Sequence, residues 1–417
     1  MGQVRMSEAF QGYYKTIIPP EEWEAFEARS KERLPFTFNL NLPTPKLEAK
    51  FLEHLAAFLQ VNALEADFAP LAWRGGREAW KYSGSFYKLS KGFPELNRFL
   101  VGATTSGTIY RQEEVSMVPV AFLGVLGSDR VLDMCAAPGS KTRQILRAFR
   151  DEQSVISSGF VIANDAVMKR CNLLSSIHHP CLLVTNYEAQ YFPHSFPLKT
   201  DKKPNTENPE PKKEGKDILT VNYDKILCDV PCSADGTMRK LGTSFLSDWD
   251  GSLSVKCHHK QVKILEKGIE LLKAEGRIVY STCSLNPVEN EAVIAEVLRK
   301  HPEAQLVDVS TQFPELKRAQ GLSSWGVASE GKILTSFSQV GDQSTKENDE
   351  KITPTMFPPT KKEIQKMNLQ RCIRLYPHHQ NTGGFFLAVL TKLPKYKVKG
   401  IIPPPEQEPP PPTDPKI

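Results

Sequence analysis

Two of the eight cysteines sit in settings that could do chemistry. Cys232 lies in Asp229-Val-Pro-Cys-Ser-Ala-Asp-Gly236, and Cys283 lies in Ser281-Thr-Cys-Ser-Leu-Asn-Pro287. Each motif follows a short apolar run of strand type, at the strand end where open α/β sheets bind ligands. A thiolate is suited to adding to an electron-poor ring carbon. Carbon 5 of a pyrimidine is too weak a nucleophile to accept a methyl group until a nucleophile has added at carbon 6. A pair of thiols then permits one to attack and the other to assist release. Asn286 reads as an N-cap, Pro287 as the first helical residue and Glu289 as the partner of a capping box, so a helix N-terminus is expected just past Cys283, favouring its thiolate. Cys135, Cys171, Cys181, Cys228, Cys257 and Cys372 read instead as small apolar residues.

A second constellation is a turn between a strand and a helix: Asp133, Met134, Cys135, Ala136, Ala137, Pro138, Gly139, Ser140, Lys141 and Thr142. Small residues there let a ligand approach the backbone, and the following helix aims its first amides at it. Asp165 follows the next strand, where a carboxylate can take two ribose hydroxyls. Glu188 follows the third strand and could meet an adenine amino group. No phosphate-binding loop is present, which points to a nucleoside cofactor without a phosphate. Asp229 could meet the amidine edge of a pyrimidine, with Lys141 as electrostatic support. Asp235 and Cys232 are both candidates to accept the carbon 5 proton.

The elements that must position these groups alternate. Strands are expected at 130–134, 159–163, 181–185, 225–229 and 277–281, and helices at 141–149 and about 169–177. A long helix carries Val262, Leu265, Ile269 and Leu272 on one face and turns at 274–276. Residues 384–390 read as a further strand. This is an α/β fold with a Rossmann-like, doubly wound, mostly parallel sheet. Residues 1–115 read as a smaller α/β domain in which Trp73, Trp80, Tyr82 and Phe86 belong to the core, and 116–394 as the catalytic domain. Stretches near 199–217 and 338–351 and the tail 395–417 read as disordered.

Bulk properties narrow the class further. The chain has 417 residues, 40% apolar, a net charge of +5 and a pI near 8.6, compatible with a polyanionic partner without requiring one. The cysteines lack metal or redox spacing and are expected to be reduced thiols, with no metal bound. No secretory leader or membrane-spanning run is read, so a nuclear or cytosolic protein is expected.

The motifs Cys135-Ala-Ala-Pro-Gly-Ser-Lys141, Pro231-Cys232 and Thr282-Cys283 resemble those of the Nop/Sun family of RNA cytosine-5 methyltransferases. The stretches 110–117, 229–240, 280–287 and 375–386 resemble its Misu-type branch, which methylates tRNA. The resemblance implies S-adenosylmethionine as cofactor, held by Cys135 to Lys141, Asp165, Glu188 and Asp229. It also implies Cys283 as nucleophile, Cys232 as the release residue and an RNA-binding N-terminal domain. By the same resemblance the substrate is a flipped cytosine in tRNA, and the protein is a nuclear monomer. Ribosomal or messenger RNA is the alternative substrate, and a non-catalytic RNA scaffold the alternative class. Glu188 stands where the family has aspartate, and Asn39 where it often has an arginine, a loss of charge expected to weaken RNA contact.

Overall fold

A computed structural model describes residues 6–42, 44–76, 78–149, 158–197, 218–241 and 246–394. The stretch 199–217 and the tail 395–417 lie outside the described residues. The apolar runs Val131–Leu132, Val161–Ala163, Ile226–Cys228 and Ile278–Tyr280 are buried. Near-continuous apolar strands of this kind belong to parallel sheets covered on both faces. They form a parallel core in the order Leu182–Thr185, Phe160–Asn164, Arg130–Asp133, Tyr223–Asp229, Leu272–Thr282. Beside the last strand Phe385–Lys392 runs antiparallel and pairs with Ala304–Leu306 and Ile373–Leu375. The sheet is therefore mixed, with its antiparallel strands confined to one side.

Helix Ser252–Leu271 covers one face through Val262, Leu265 and Ile269. Helix Glu114–Leu123 covers the other through Val115, Val118 and Phe122. Leu272, expected on the long helix, instead opens the next strand. The turn at 274–276 is absorbed as an irregularity of that strand, with Glu275 at φ 62° and the register stepping from Tyr223↔Leu272 to Lys225↔Arg277.

A second sheet, four antiparallel strands in the order Phe68–Pro70, Ala79–Tyr82, Phe36–Leu40, Ile109–Arg111, packs on helices Pro45–Val61 and Pro94–Thr105. Tyr82 is buried in that core and Trp80 packs at its edge, whereas Trp73, expected there too, is buried in the main-sheet cluster with Val115 and Phe122. Residues 6–26 do not join the small sheet, although a boundary at residue 115 would place them there. Phe10, Tyr13, Tyr14, Trp23 and Phe26 pack against Met238, Leu246, Leu285 and Tyr376 of the larger unit. Asn39, where the missing charge is expected to weaken RNA contact, is buried and donates to Gln112 Oε1 at 2.9 Å. A side chain so placed meets no RNA, and an arginine's charge there would need a buried partner.

The stretch 338–351, expected to be disordered, is tied down. Gln343 exchanges hydrogen bonds with the backbone of Ile352, Lys346 pairs with Glu330 at 2.6 Å, and Val340 packs on a small core with Val327 and Phe357. Among the described residues no helix is long and apolar enough to cross a membrane.

Candidate active site

The turn after strand Arg130–Asp133 is built as its small residues require. Gly139 has φ 103°, and a Cβ there would lie 2.6 Å from Ile177 Cδ1. Only glycine meets both demands. Helix Ser140–Arg147 follows at once. Asp165 is buried beside the turn; its Oδ2 accepts from the Ala137 amide at 3.2 Å and its Oδ1 from the Val167 amide at 3.0 Å. Asp133, at the root of the turn, accepts from Thr142 at 2.7 Å through Oδ2, while its Oδ1 is buried without a hydrogen-bond partner. Burial pushes this carboxyl up to about 7, against the Thr142 hydrogen bond. Cys135 is half-buried, and burial pushes its thiol up. Glu188 stands apart from this set: it is exposed, bonds Gln190 and lies 3.9 Å from Lys260. The backbone leading to it is nonetheless tied to the site, because the Asn164 side chain bonds both N–H and C=O of Tyr187. A glycine-bearing turn, a helix N-terminus and a buried carboxylate suit a nucleoside with no phosphate, so this donor set fits S-adenosylmethionine.

The next two strands deliver the thiols. Asp229 and Ser281 are register partners at the ends of parallel strands, and Ser281 Oγ donates to Asp229 Oδ1 at 2.6 Å. Lys141 Nζ donates to Asp229 Oδ2, also at 2.6 Å, which joins the cofactor turn to the thiol motifs. Burial disfavours the Lys141 ammonium, yet Asp229 outweighs it and holds the lysine above its usual range, helped by charge on Cys283. Just past these strand ends the sulfurs of Cys232 and Cys283 stand 3.3 Å apart, both free. Sharing its hydrogen with the Cys283 sulfur, and then burial, push the Cys232 thiol up.

The capping box proposed around Asn286 is not there. The helix begins at Glu291, with Asn290 at its N-cap, and Asn286 makes a local turn by accepting from the Val288 amide at 3.0 Å. Glu289 turns inward instead. Fully buried, it accepts from the Ser233 amide at 2.8 Å, Ser284 Oγ at 2.7 Å, Ser254 Oγ at 2.8 Å and Gln261 Nε2 at 2.9 Å. Its carboxylate binds the residues following both thiols, a role whose only trace in the sequence is an acidic residue where a cap also fits.

Asp235 completes the frame. Its Oδ1 accepts from the Leu285 amide at 2.7 Å and its Oδ2 from the Tyr14 hydroxyl, and Gly236 N donates to Cys283 O at 3.0 Å. A Cβ on Gly236 would come within 2.7 Å of Cys283 O, so the two motifs pack backbone to backbone. Burial, then the Glu289 charge, push the Asp235 carboxyl up to about 6. Tyr14 lies 221 residues away, which no spacing argument could bridge.

A cleft of about 1460 Å³ opens beside the turn, lined by Pro138 and Ser140 together with Arg33, Phe86, Tyr87 and Arg111. The Arg111 guanidinium lies 4.1 Å from the Phe86 ring centre, and Arg33 lies 5.0 Å from that of Tyr87. Phe86, expected in the core, packs partly buried on the small-sheet core and also forms a wall of this cleft.

A five-stranded parallel core with a nucleoside-type turn and reactive groups at its strand ends defines the Rossmann-like methyltransferase class. A methyltransferase homolog from Pyrococcus horikoshii shares the fold, with a TM-score of 0.56 at 24% identity over 92% of this chain and 93% of that one. The family model described as 16S rRNA methyltransferase RsmB/F matches residues 120–325. The multisite-specific tRNA:(cytosine-C(5))-methyltransferase of Saccharomyces cerevisiae is 39% identical over 94% of this chain and 56% of its own length. The tRNA (cytosine(34)-C(5))-methyltransferase of Drosophila melanogaster is 38% identical over 92% of this chain and 52% of its own. The chain belongs to the RsmB/F, or Nop/Sun, methyltransferase family. It spans little more than half the length of these two relatives.

Proposed function

We propose that this protein methylates carbon 5 of cytosine in RNA, with tRNA as the substrate class and S-adenosylmethionine as the methyl donor. The observation that carries the reading is the contact of two thiols at adjacent strand ends, beside a nucleoside-type turn and joined to it through Lys141 and Asp229. The names of the yeast and fly relatives support tRNA. The cleft's arginines and aromatic rings supply what a single-stranded stretch of RNA needs, cations for phosphates and faces for bases.

Bound at the 135–141 turn, with Asp165 as a further contact and Glu188 joining only by turning away from Gln190, S-adenosylmethionine would supply an electrophilic methyl group. Cys283 adds through sulfur to carbon 6, forming an S–C bond and making carbon 5 nucleophilic. Asp229, oriented by Lys141 and Ser281, accepts from the exocyclic amino group on the ring's amidine edge. The Lys141 charge offsets the negative charge that develops. Both oxygens of Asp235 are engaged and the residue is fully buried, which makes it a brace for the two loops. Once the Cys283 sulfur is bonded to carbon 6 it no longer holds the Cys232 hydrogen, and that proton passes to solvent. The Cys232 thiolate is then placed to take the proton from carbon 5 as the Cys283–carbon 6 bond breaks and Cys283 leaves as a thiolate.

The test is transfer of labelled methyl from S-adenosylmethionine to bulk tRNA, ribosomal RNA and messenger RNA by wild type, Cys283→Ala and Cys232→Ala, resolved on denaturing gels. The expected result is 5-methylcytosine in tRNA, activity lost in both variants, and a covalent RNA adduct only in Cys232→Ala. Transfer to ribosomal or messenger RNA alone would overturn the substrate class, RNA binding without transfer would make the chain a scaffold, and an adduct requiring Cys232 would reverse the thiol roles.

A further inference from the structure

A separate group of side chains lies away from the thiols. Glu22 ends the single turn Pro20–Glu22, and His378 and His379 lie on the short turn Pro377–Gln380. Nε2 of His378 and Nε2 of His379 stand 2.7 and 3.0 Å from the same oxygen, Glu22 Oε2. One ligand-type atom from each residue falls within 4.8 Å of the others, and among the described residues no other trio of His, Cys, Asp or Glu converges in this way.

We propose that Glu22, His378 and His379 form a site for a divalent transition-metal ion of zinc-like preference. Two imidazoles and one carboxylate are a zinc donor set, whereas calcium and magnesium favour oxygen ligands. Tetrahedral bonds of 2.0–2.1 Å hold neighbouring donors about 3.3 Å apart, so the two Glu22–histidine spacings, 2.7 and 3.0 Å, need open by about 0.3–0.6 Å. The rings are held from behind: Tyr376 stacks on His378 with centres 5.8 Å apart, and Phe26 meets the His378 ring edge-on at 5.8 Å. The His378 side chain is 7% exposed, His379 20% and Glu22 35%, which leaves one side open for entry and for a water ligand. Coordination through Nε2 places each neutral ring's proton on Nδ1.

Such an ion would pin the N-terminal segment to the stretch that follows His379. That stretch holds Arg239 through Asn381 Oδ1 at 2.8 Å and Thr382 O at 2.7 Å, and Gly383 N donates to Glu113 at 2.7 Å. Arg239 and Glu113 both line the cleft, so occupancy would brace one of its walls. The assignment does not rest on the methyl-transfer reading.

The test uses the full chain, stripped with a chelator and titrated with Co²⁺ alone, then with Zn²⁺ as competitor. The expected result is one equivalent of Co²⁺, displaced by Zn²⁺, with a visible spectrum free of the thiolate charge-transfer band that binding at Cys232 and Cys283 would give. Uptake should be lost in Glu22→Gln and His379→Ala and retained in the Cys232→Ser/Cys283→Ser double variant. Circular dichroism of each metal-free variant checks the fold, and His379→Gln serves if the alanine variant fails to fold. Zn²⁺ should raise the melting temperature of the wild type and not of Glu22→Gln. Absence of uptake at about 0.1 mM Co²⁺, or uptake unchanged in Glu22→Gln and His379→Ala, would overturn the proposal.

Discussion

The sulfurs of Cys232 and Cys283 lie 3.3 Å apart although 51 residues separate them, because each caps one of two adjacent parallel strands. Contact at that distance makes them the pair a mild oxidant should join. Diamide, which takes up both thiol hydrogens, is expected to abolish methyl transfer, with dithiothreitol restoring it. Peptide mapping should find Cys232 linked to Cys283. Loss of activity with both thiols still free to alkylation would contradict this geometry.

Asp133 links stability to pH. Its folded carboxyl is raised to about 7 by burial, above its unfolded value near 3.9. A raised carboxyl contributes stability that is present below the unfolded pKa and is lost as pH climbs through the folded one. Asp133→Asn keeps an acceptor for Thr142 and puts its amide nitrogen where Oδ1 has no partner. Relative to this variant the wild type should lose stability between pH 4 and 7, by an amount on the order of 1–4 kcal/mol. Urea unfolding of both proteins across that range measures it, and a gap that does not change with pH would refute it.

Glu289 binds the residues that follow both thiols. In Glu289→Gln one end of the side chain becomes a donor facing donors, which should loosen the two loops. The expected outcome is a fall in kcat of about 10- to 100-fold with the KM for RNA nearly unchanged. Steady-state kinetics with RNA varied decide it; a rise in KM alone would place Glu289 in RNA binding instead.

Arg111 should act in the opposite way. It lies over Phe86 in the cleft, on a strand of the small sheet and not on the loops that carry the turn and the thiols. Arg111→Ala is expected to weaken RNA binding by about 1–2 kcal/mol and lower the salt dependence of binding, while S-adenosylmethionine affinity stays put. Filter binding at two salt concentrations checks both. An unchanged RNA affinity would remove this cleft from the RNA path.

The sequence disclosed the parts of the site that depend on local order. Strand ends of a parallel sheet gather the residues that follow them, so Cys135 to Lys141, Asp165, Asp229, Cys232 and Cys283 could be placed from motif and periodicity. What it could not disclose are contacts between distant segments. Tyr14 on Asp235, Glu22 on His378 and His379, and residues 6–26 on the catalytic unit all join pieces more than 200 residues apart. Glu289 was misread for a different reason: a capping residue and a buried acceptor look alike until the serines around it are seen. Asn39 was read by the charge it lacks, when burial governs that position.

The two packing sites of the N-terminal third have a topological consequence. The chain first lies against the catalytic unit, leaves it to build the four-stranded sheet, and returns as helix Glu114–Leu123 on the main sheet. The small sheet is therefore a loop-out with both of its roots fastened to the body that carries the thiols, unlike a lobe hung from a single linker. Arg111 stands at the returning root and Arg33 at the outgoing one. A strand of RNA laid across the cleft would touch both roots at once, and with them the frame that holds the two thiol loops.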